Sequence, residues 1–357
     1  MVRYSFFVIS LLLSQLVAAD IFDDAQLAAR GGRYHEVISI LSGAIDAGEL
    51  EGKEWVIAYS NRGIAYSLLR AYGLARADLE QAISLEPGHA LTQNHLGIIA
   101  EHVDHNYGVA LAWYQQAVLD GFSASMVNLA NLYRKGLGVP INNSRALELY
   151  EQAAEKNYAM AYVPLGIMYM EGLGVSRDYK LGIAWLRRGR DQGVIKADYR
   201  LGIAFEKGLG VKQDYTQAAA SYHVAAMQGH GKAQNSLGYL YRRGSGVKQD
   251  FQEAVGWYQL AADQGINQAT NRLAWLLATC PTTKVCNGEE AVALASRAVE
   301  EEPTASNMDS LAAAYARIGD FKDAIATIER ILSLPDSKRY RYANRLDLYR
   351  QGKPYEL

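Results

Sequence analysis

The chain has 357 residues, is half hydrophobic, and carries a formal net charge of −2. That apolar content provides for a folded core, and the near-neutral balance argues against a nucleic-acid-binding or polybasic membrane-surface role. Length alone would suggest two globular domains, a prior that internal repetition overrides.

Residues 1–19 read as a signal peptide. Arg3 supplies a charged start, and Phe6 to Val17 is a mostly apolar run of roughly the length of a signal core. Val17-Ala18-Ala19 places small residues before a cleavage expected ahead of Asp20. At roughly 12 apolar residues the run is short for a membrane span of ~20, so an uncleaved anchor is the lesser reading. No cysteine follows until Cys280, which argues against a lipid-anchored cysteine at the mature N-terminus. The expected mature chain is exported, with no stable membrane insertion.

Residues 20–120 carry degenerate helical-hairpin units. Gly32-Arg33-Tyr34 with Val37, Leu41 and Ala44 is a partial copy. Tyr59, Gly63, Tyr66, Ala75, Leu79, Ala82 and Pro87 form a fuller one, which resembles the tetratricopeptide signature. Leu96, Gly97, Ala110, Trp113, Tyr114 and Ala117 make an intermediate unit.

Residues 121–266 repeat strictly. Leu129, Leu165, Leu201 and Leu237 are 36 residues apart, with Leu273 one step beyond the range, and Gly138, Gly174, Gly210 and Gly246 keep the same step. Around Leu201, Gly202 and Phe205 share its helix face. Gly208-Leu209-Gly210-Val211 breaks the helix, because glycine tolerates the left-handed backbone a tight turn needs. Asp214 is placed to cap a second helix, whose apolar face is Ala218, Tyr222, Ala225 and Ala226. Pro164 lacks an amide donor and should delay or bend its helix. Asn142-Asn143-Ser144 formally matches a glycosylation acceptor, but helix capping by Asn143 or Ser144 is the favoured reading. The pattern LGxxY, GxGVxxD, AxxxY, AAxxG in four consecutive copies resembles the Sel-one-like repeat family. The resemblance implies an all-α, right-handed α-solenoid of helical hairpins, with tetratricopeptide-like ends and a Sel-one-like centre.

Residues 267–337 return to the tetratricopeptide-like spacing, with an inserted loop bracketed by Cys280 and Cys286. An even cysteine count in an exported chain predicts a local disulfide between them. Residues 338–357 read as a capping helix and tail, with Tyr342, Leu346 and Tyr349 on one face.

Signatures of chemistry are sparse. No GxSxG elbow, HExxH, phosphate loop or dinucleotide fingerprint occurs. His102 and His105, in Glu101-His102-Val103-Asp104-His105, are weak metal candidates set against a solvated helix end. No cofactor is expected.

In tetratricopeptide proteins the first helix of each hairpin lines the inner face, through positions two before and two, five and six after the signature leucine. The resemblance therefore implies a partner-binding set of Asn94, Asn131, Tyr199, Asn235, Tyr239, Arg242, Asn271 and Trp275. Aromatic area, amides that both donate and accept, and a guanidinium suit an extended peptide. The function implied is a non-enzymatic scaffold or regulatory adaptor for another envelope protein or peptide, in the periplasm or secreted. Cysteine-rich Sel-one-like relatives suggest β-lactam binding or hydrolysis as an alternative, but those carry a cysteine pair in each hairpin. A metal-dependent switch through His102 and His105 is a further alternative.

Overall fold

The computed structural model describes residues 19–48, 50–279, 283–335 and 339–357. The predicted signal peptide, apart from Ala19, and Cys280 with its expected disulfide lie outside the described residues. Among those described are nineteen α-helices and no strand. They form two compact units, divided between Trp185 and Leu186.

The N-terminal unit runs through α1 (Ala19–Arg30), α2 (Tyr34–Ala47), α3 (Glu54–Leu68), α4 (Tyr72–Leu85), α5 (Ala90–His102), α6 (Tyr107–Leu119), α7 (Ser123–Lys135), α8 (Asn143–Glu155) and α9 (Tyr162–Glu171). It ends inside α10 (Tyr179–Asp191). Helices pair as hairpins, and the apolar faces of neighbouring hairpins close over one another. α9 has ten residues where α7 has thirteen, and a 3₁₀ turn, Ala159–Ala161, precedes it. Pro164 sits in the first turn of α9, where its missing amide has no intrahelical partner to lose. The helix starts late, as expected.

The C-terminal unit continues with α11 (Ile195–Lys207), α12 (Tyr215–Met227), α13 (Gly231–Arg243), α14 (Phe251–Ala262), α15 (Asn267–Thr279), α16 (Gly288–Glu301), α17 (Ala305–Arg317), α18 (Phe321–Leu332) and α19 (Arg339–Arg350). Tyr342, Leu346 and Tyr349 of α19 are buried against α17 and α18, covering the apolar end of this unit.

All five period-setting leucines are buried. Each strict hairpin then closes by the same backbone contact. The amides of Asn142, Asp178, Asp214 and Asp250 donate to the carbonyls of Tyr133, Tyr169, Phe205 and Tyr241, at 2.8–3.0 Å. The same four residues cap the second helices. Asp214 Oδ1 accepts from the amides of Thr216 and Gln217, and Asp250 Oδ1 from Gln252 and Glu253. Asn142 Oδ1 accepts from the Arg145 amide. The cap is therefore Asn142 rather than Asn143 or Ser144. The turn spacing that puts an aspartate at 178, 214 and 250 selects position 142 as well.

Gly246 shows why the turn demands glycine. Its φ is +71°, and an added Cβ would lie 2.1 Å from the Tyr215 carbonyl carbon at the start of α12. The turn of one hairpin thus rests directly on the backbone of the preceding one. Within hairpins a second fit recurs. A Cβ on Gly202 would lie 2.5 Å from the Tyr222 ring, and one on Gly238 2.8 Å from the Tyr258 ring. The missing side chain on the first helix is the slot that the tyrosine of the second helix fills.

Candidate functional site

In the C-terminal unit the first helices α11, α13 and α15 stand side by side and border an open cleft of about 530 Å³. Tyr199 and Glu206 come from α11, Lys232, Asn235, Ser236 and Tyr239 from α13, and Gln268 and Arg272 from α15, with Ile266 just before it. Three residues of the expected partner-binding set, Tyr199, Asn235 and Tyr239, line this one space.

Tyr239 is its focus. The guanidinium carbons of Arg242, Arg243 and Arg272 lie 5.5, 5.6 and 4.9 Å from its ring centroid. Arg243 Nη1 also donates to the Tyr239 hydroxyl at 2.8 Å. The ring's π face draws the cations in, and the resulting patch is basic. Glu206 brings a carboxylate to the cleft, and its Oε2 accepts from the Tyr222 hydroxyl at 2.5 Å. At the far side the Tyr199 ring packs 4.6 Å from that of His230. Burial, reinforced by Lys196, Lys232 and Arg200, lowers the His230 pKa, so the ring is neutral and its Nδ1 accepts from the Ala233 amide to cap α13.

The asparagines two positions before the leucines act between hairpins. Asn235 Nδ2 donates to Gln268 Oε1 at 2.9 Å, and its Oδ1 accepts from Arg272 Nη1 at 3.1 Å. Asn271 Nδ2 donates to Ser306 Oγ at 3.2 Å. In the N-terminal unit Asn94, 4 % exposed, accepts from Ser125 Oγ and Asn128 Nδ2. These amides tie one first helix to the next, because side chains at this position lean toward the following hairpin. Asn131 accepts from the Tyr150 hydroxyl at 2.7 Å. Trp275 is covered by the chain's own end. Arg345 stacks 4.7 Å from its ring centroid and the Tyr355 ring lies 5.7 Å away.

Lys232, Ser236, Gln268 and Arg272 were not in the sequence-derived set. The signal for two of them was present. Ser236 and Arg272 immediately precede the signature leucines, on the turn that faces the neighbouring first helix. Of the metal candidates, His102 ends α5 with Nε2 3.8 Å from Glu101 Oε1, and His105 lies exposed in the following turn. Among the described residues no group of three or more His, Cys, Asp or Glu side chains could hold a metal ion. The structure also brings together an unforeseen hydroxyl–imidazole set. His89 Nδ1 lies 2.6 Å from Thr92 Oγ1 and 3.3 Å from Ser60 Oγ. Ser60 and Thr92 are wholly buried, so the set clamps α3 to α5 rather than facing a cleft.

Residues 95–122, 123–158, 159–194, 195–230 and 231–266 match the Sel1 repeat family, one unit more than the four strict copies. The structure is similar to a Sel1 repeat protein from Oxalobacter formigenes, with 29 % identity, a TM-score of 0.58, and coverage of 67 % of this chain and 96 % of that one. It also shares its fold with c5321, a protective antigen of uropathogenic Escherichia coli strains displaying an SLR fold, at 23 % identity and TM-score 0.50, covering 89 % of this chain and 76 % of that one. Among curated proteins, anaphase-promoting complex subunit 6 of Arabidopsis thaliana is 32 % identical over 80 residues, 20 % of this chain. The match spans 14 % of that relative's length.

Proposed function

Because residues 95–266 of this chain are Sel1 repeats, we propose that the protein is a non-enzymatic interaction module that holds an extended segment of a protein partner in the α11–α13–α15 cleft. Sel1 repeat proteins generally mediate protein–protein interaction. The observation that carries the reading is Tyr239, a half-buried aromatic ringed by cations at the centre of an open cleft. An aromatic anchor with polar neighbours is the arrangement that concentrates binding energy at protein interfaces.

The proposal extends to location. The N-terminal apolar run and its small-residue cleavage signal support export, with the periplasm favoured over secretion and an envelope protein or peptide as partner. A Cys280–Cys286 disulfide fits the same oxidising compartment. Among the described residues no helix is long and apolar enough to cross a membrane.

The test is a cross-linked pull-down from envelope extract with the wild-type chain and with Tyr239→Ala. The reading expects capture by the wild type and its loss in the variant at unchanged helicity. Equal capture by both would overturn it.

A further inference from the structure

In three hairpins a buried tyrosine of the second helix gives its hydroxyl hydrogen to a side chain of the first. Tyr114 donates to Glu101 at 2.9 Å, Tyr150 to Asn131 at 2.7 Å, and Tyr222 to Glu206 at 2.5 Å. Tyr258 stands 36 residues after Tyr222, is equally buried, and fills the same kind of glycine slot. Its hydroxyl is closed off from solvent and its hydrogen has no acceptor. The repeat explains the difference: 36 residues after Glu206 stands Arg242, and where the Tyr150 hairpin, which also has an arginine at that place (Arg134), supplies Asn131 as acceptor, this one has Tyr239. Where the preceding hairpin supplies an acceptor, this one supplies a cation.

The substitution does not stand alone. Arg242, Arg243 and Arg272 converge on Tyr239, and Arg242 and Arg272 are also the charged neighbours of Tyr258. Burial pushes the Tyr258 hydroxyl up to about 12 against the pull of those two cations, so it stays a donor. Among the described residues none of the three arginines forms an ion pair. The carboxylate that Glu206 brings to the cleft is already engaged by Tyr222. Three guanidinium groups therefore gather around Tyr239 in a hairpin from which the acceptor has been removed. Arg272 is held there by Asn235, which is itself bracketed to Gln268, so the donors are pre-positioned.

We propose that this guanidinium cluster binds a carboxylate side chain of an acidic peptide segment. Guanidinium groups suit it, because their paired N–H donors match a carboxylate's two oxygens. The inference rests on the cleft being the partner site. The surroundings favour a peptide over a uniformly anionic strand. The cleft continues past the arginines to Ser236 and Tyr199, and one hairpin away Glu206 would repel a second closely spaced anion.

The test is fluorescence anisotropy on the full chain with two labelled octapeptides. One has a single Glu among Gly/Ser residues, the other Gln in the same frame, and inorganic phosphate serves as competitor. The proposal expects the Glu peptide to bind about tenfold tighter or more, as charge-assisted pairing requires, with the difference shrinking in high salt. Arg242→Glu should abolish the preference and raise the melting temperature, because it returns to Tyr258 the acceptor that Tyr222 has. Arg272→Gln should weaken the Glu peptide about tenfold without lowering the melting temperature as a core lesion would. Equal binding of the two peptides, no binding of either, or a preference retained in Arg242→Glu would overturn the proposal. Displacement by phosphate at the peptide's own concentration would overturn it too, leaving a small-anion site only. The two readings fail separately. A partner whose capture depends on Tyr239 but is not competed by the Glu peptide leaves the cleft reading standing and removes this one. Capture that survives Tyr239→Ala removes the cleft reading itself.

Discussion

Replacing Gly246 with alanine tests the contact that joins one hairpin to the next. Two costs arise. A φ of +71° is unfavourable for any L side chain, by about 1–2 kcal/mol. The new methyl would also sit 2.1 Å from the Tyr215 carbonyl carbon and oxygen and 2.5 Å from the Thr216 nitrogen. Those atoms begin α12 and are pinned by the Asp214 cap, which takes hydrogen bonds from the Thr216 and Gln217 amides. Backbone fixed in this way cannot swing aside as a side-chain end could, so the clash adds an overpacking cost of about 1–3 kcal/mol. Gly265→Ala is the control. Its φ is +77°, but nothing lies within 4 Å of the added carbon, so only the first cost applies. Urea unfolding followed by far-UV circular dichroism should place Gly246→Ala about 2 kcal/mol or more below Gly265→Ala, with wild-type slopes in both. Equal destabilisation by the two alanines would refute the claim that the turn bears on the preceding hairpin.

Other perturbations read different parts of the molecule. Asp78→Ala strands the Arg62 guanidinium, which pairs with both carboxylate oxygens at 2.7 and 2.8 Å in a largely buried site; thermal unfolding should show a loss of about 3–5 kcal/mol. Burial lowers the His95 pKa from 6.5 to about 4, so the unfolded chain takes up this proton first and stability falls as pH drops from 6.5 toward 4. The loss is at most about 3 kcal/mol, less for a ring that is only half-buried, and His95→Gln should flatten that part of the urea-midpoint profile. Tyr258→Phe removes a buried hydroxyl whose hydrogen has no acceptor and should be neutral or stabilising, whereas Tyr222→Phe should cost about 1 kcal/mol in the same urea assay.

Much of the fold was legible because a repeat states its rules several times. A buried leucine, a left-handed glycine and a capping aspartate recur at one interval, so each could be read against its copies. Pro164 was legible for a local reason, since a missing amide acts within its own turn. The cap at 142 was not, because three polar residues in a row offered three candidates and only the turn's closing hydrogen bond selects one. The inner face was half legible. Spacing put Tyr199, Asn235 and Tyr239 beside one cleft, but it could not say that Asn235 spends its amide on Gln268 and Arg272 in the next hairpin. Trp275 was illegible for a deeper reason. Its cover comes from Arg345 and Tyr355, some 70–80 residues later, where the chain turns back and the Leu357 amide reaches the Thr279 carbonyl. No local periodicity encodes such a return.

The same comparison of copies separates framework from recognition. Residues that keep the period answer to packing: the leucine is buried, the glycine yields a slot, the aspartate caps. Selection for partner binding has little room at those positions, since any change there costs the stack. Specificity has to be written where copies differ while the frame around them stays constant. Glu206 and Arg242 are such a pair, held in equivalent backbone positions beside equivalent buried tyrosines. One satisfies its tyrosine from within, and the other leaves its tyrosine without an acceptor and adds a cation beside Tyr239. In a protein built by repetition, the informative residue is therefore the one that departs from its copies at a site whose hydrogen bonding its neighbours complete.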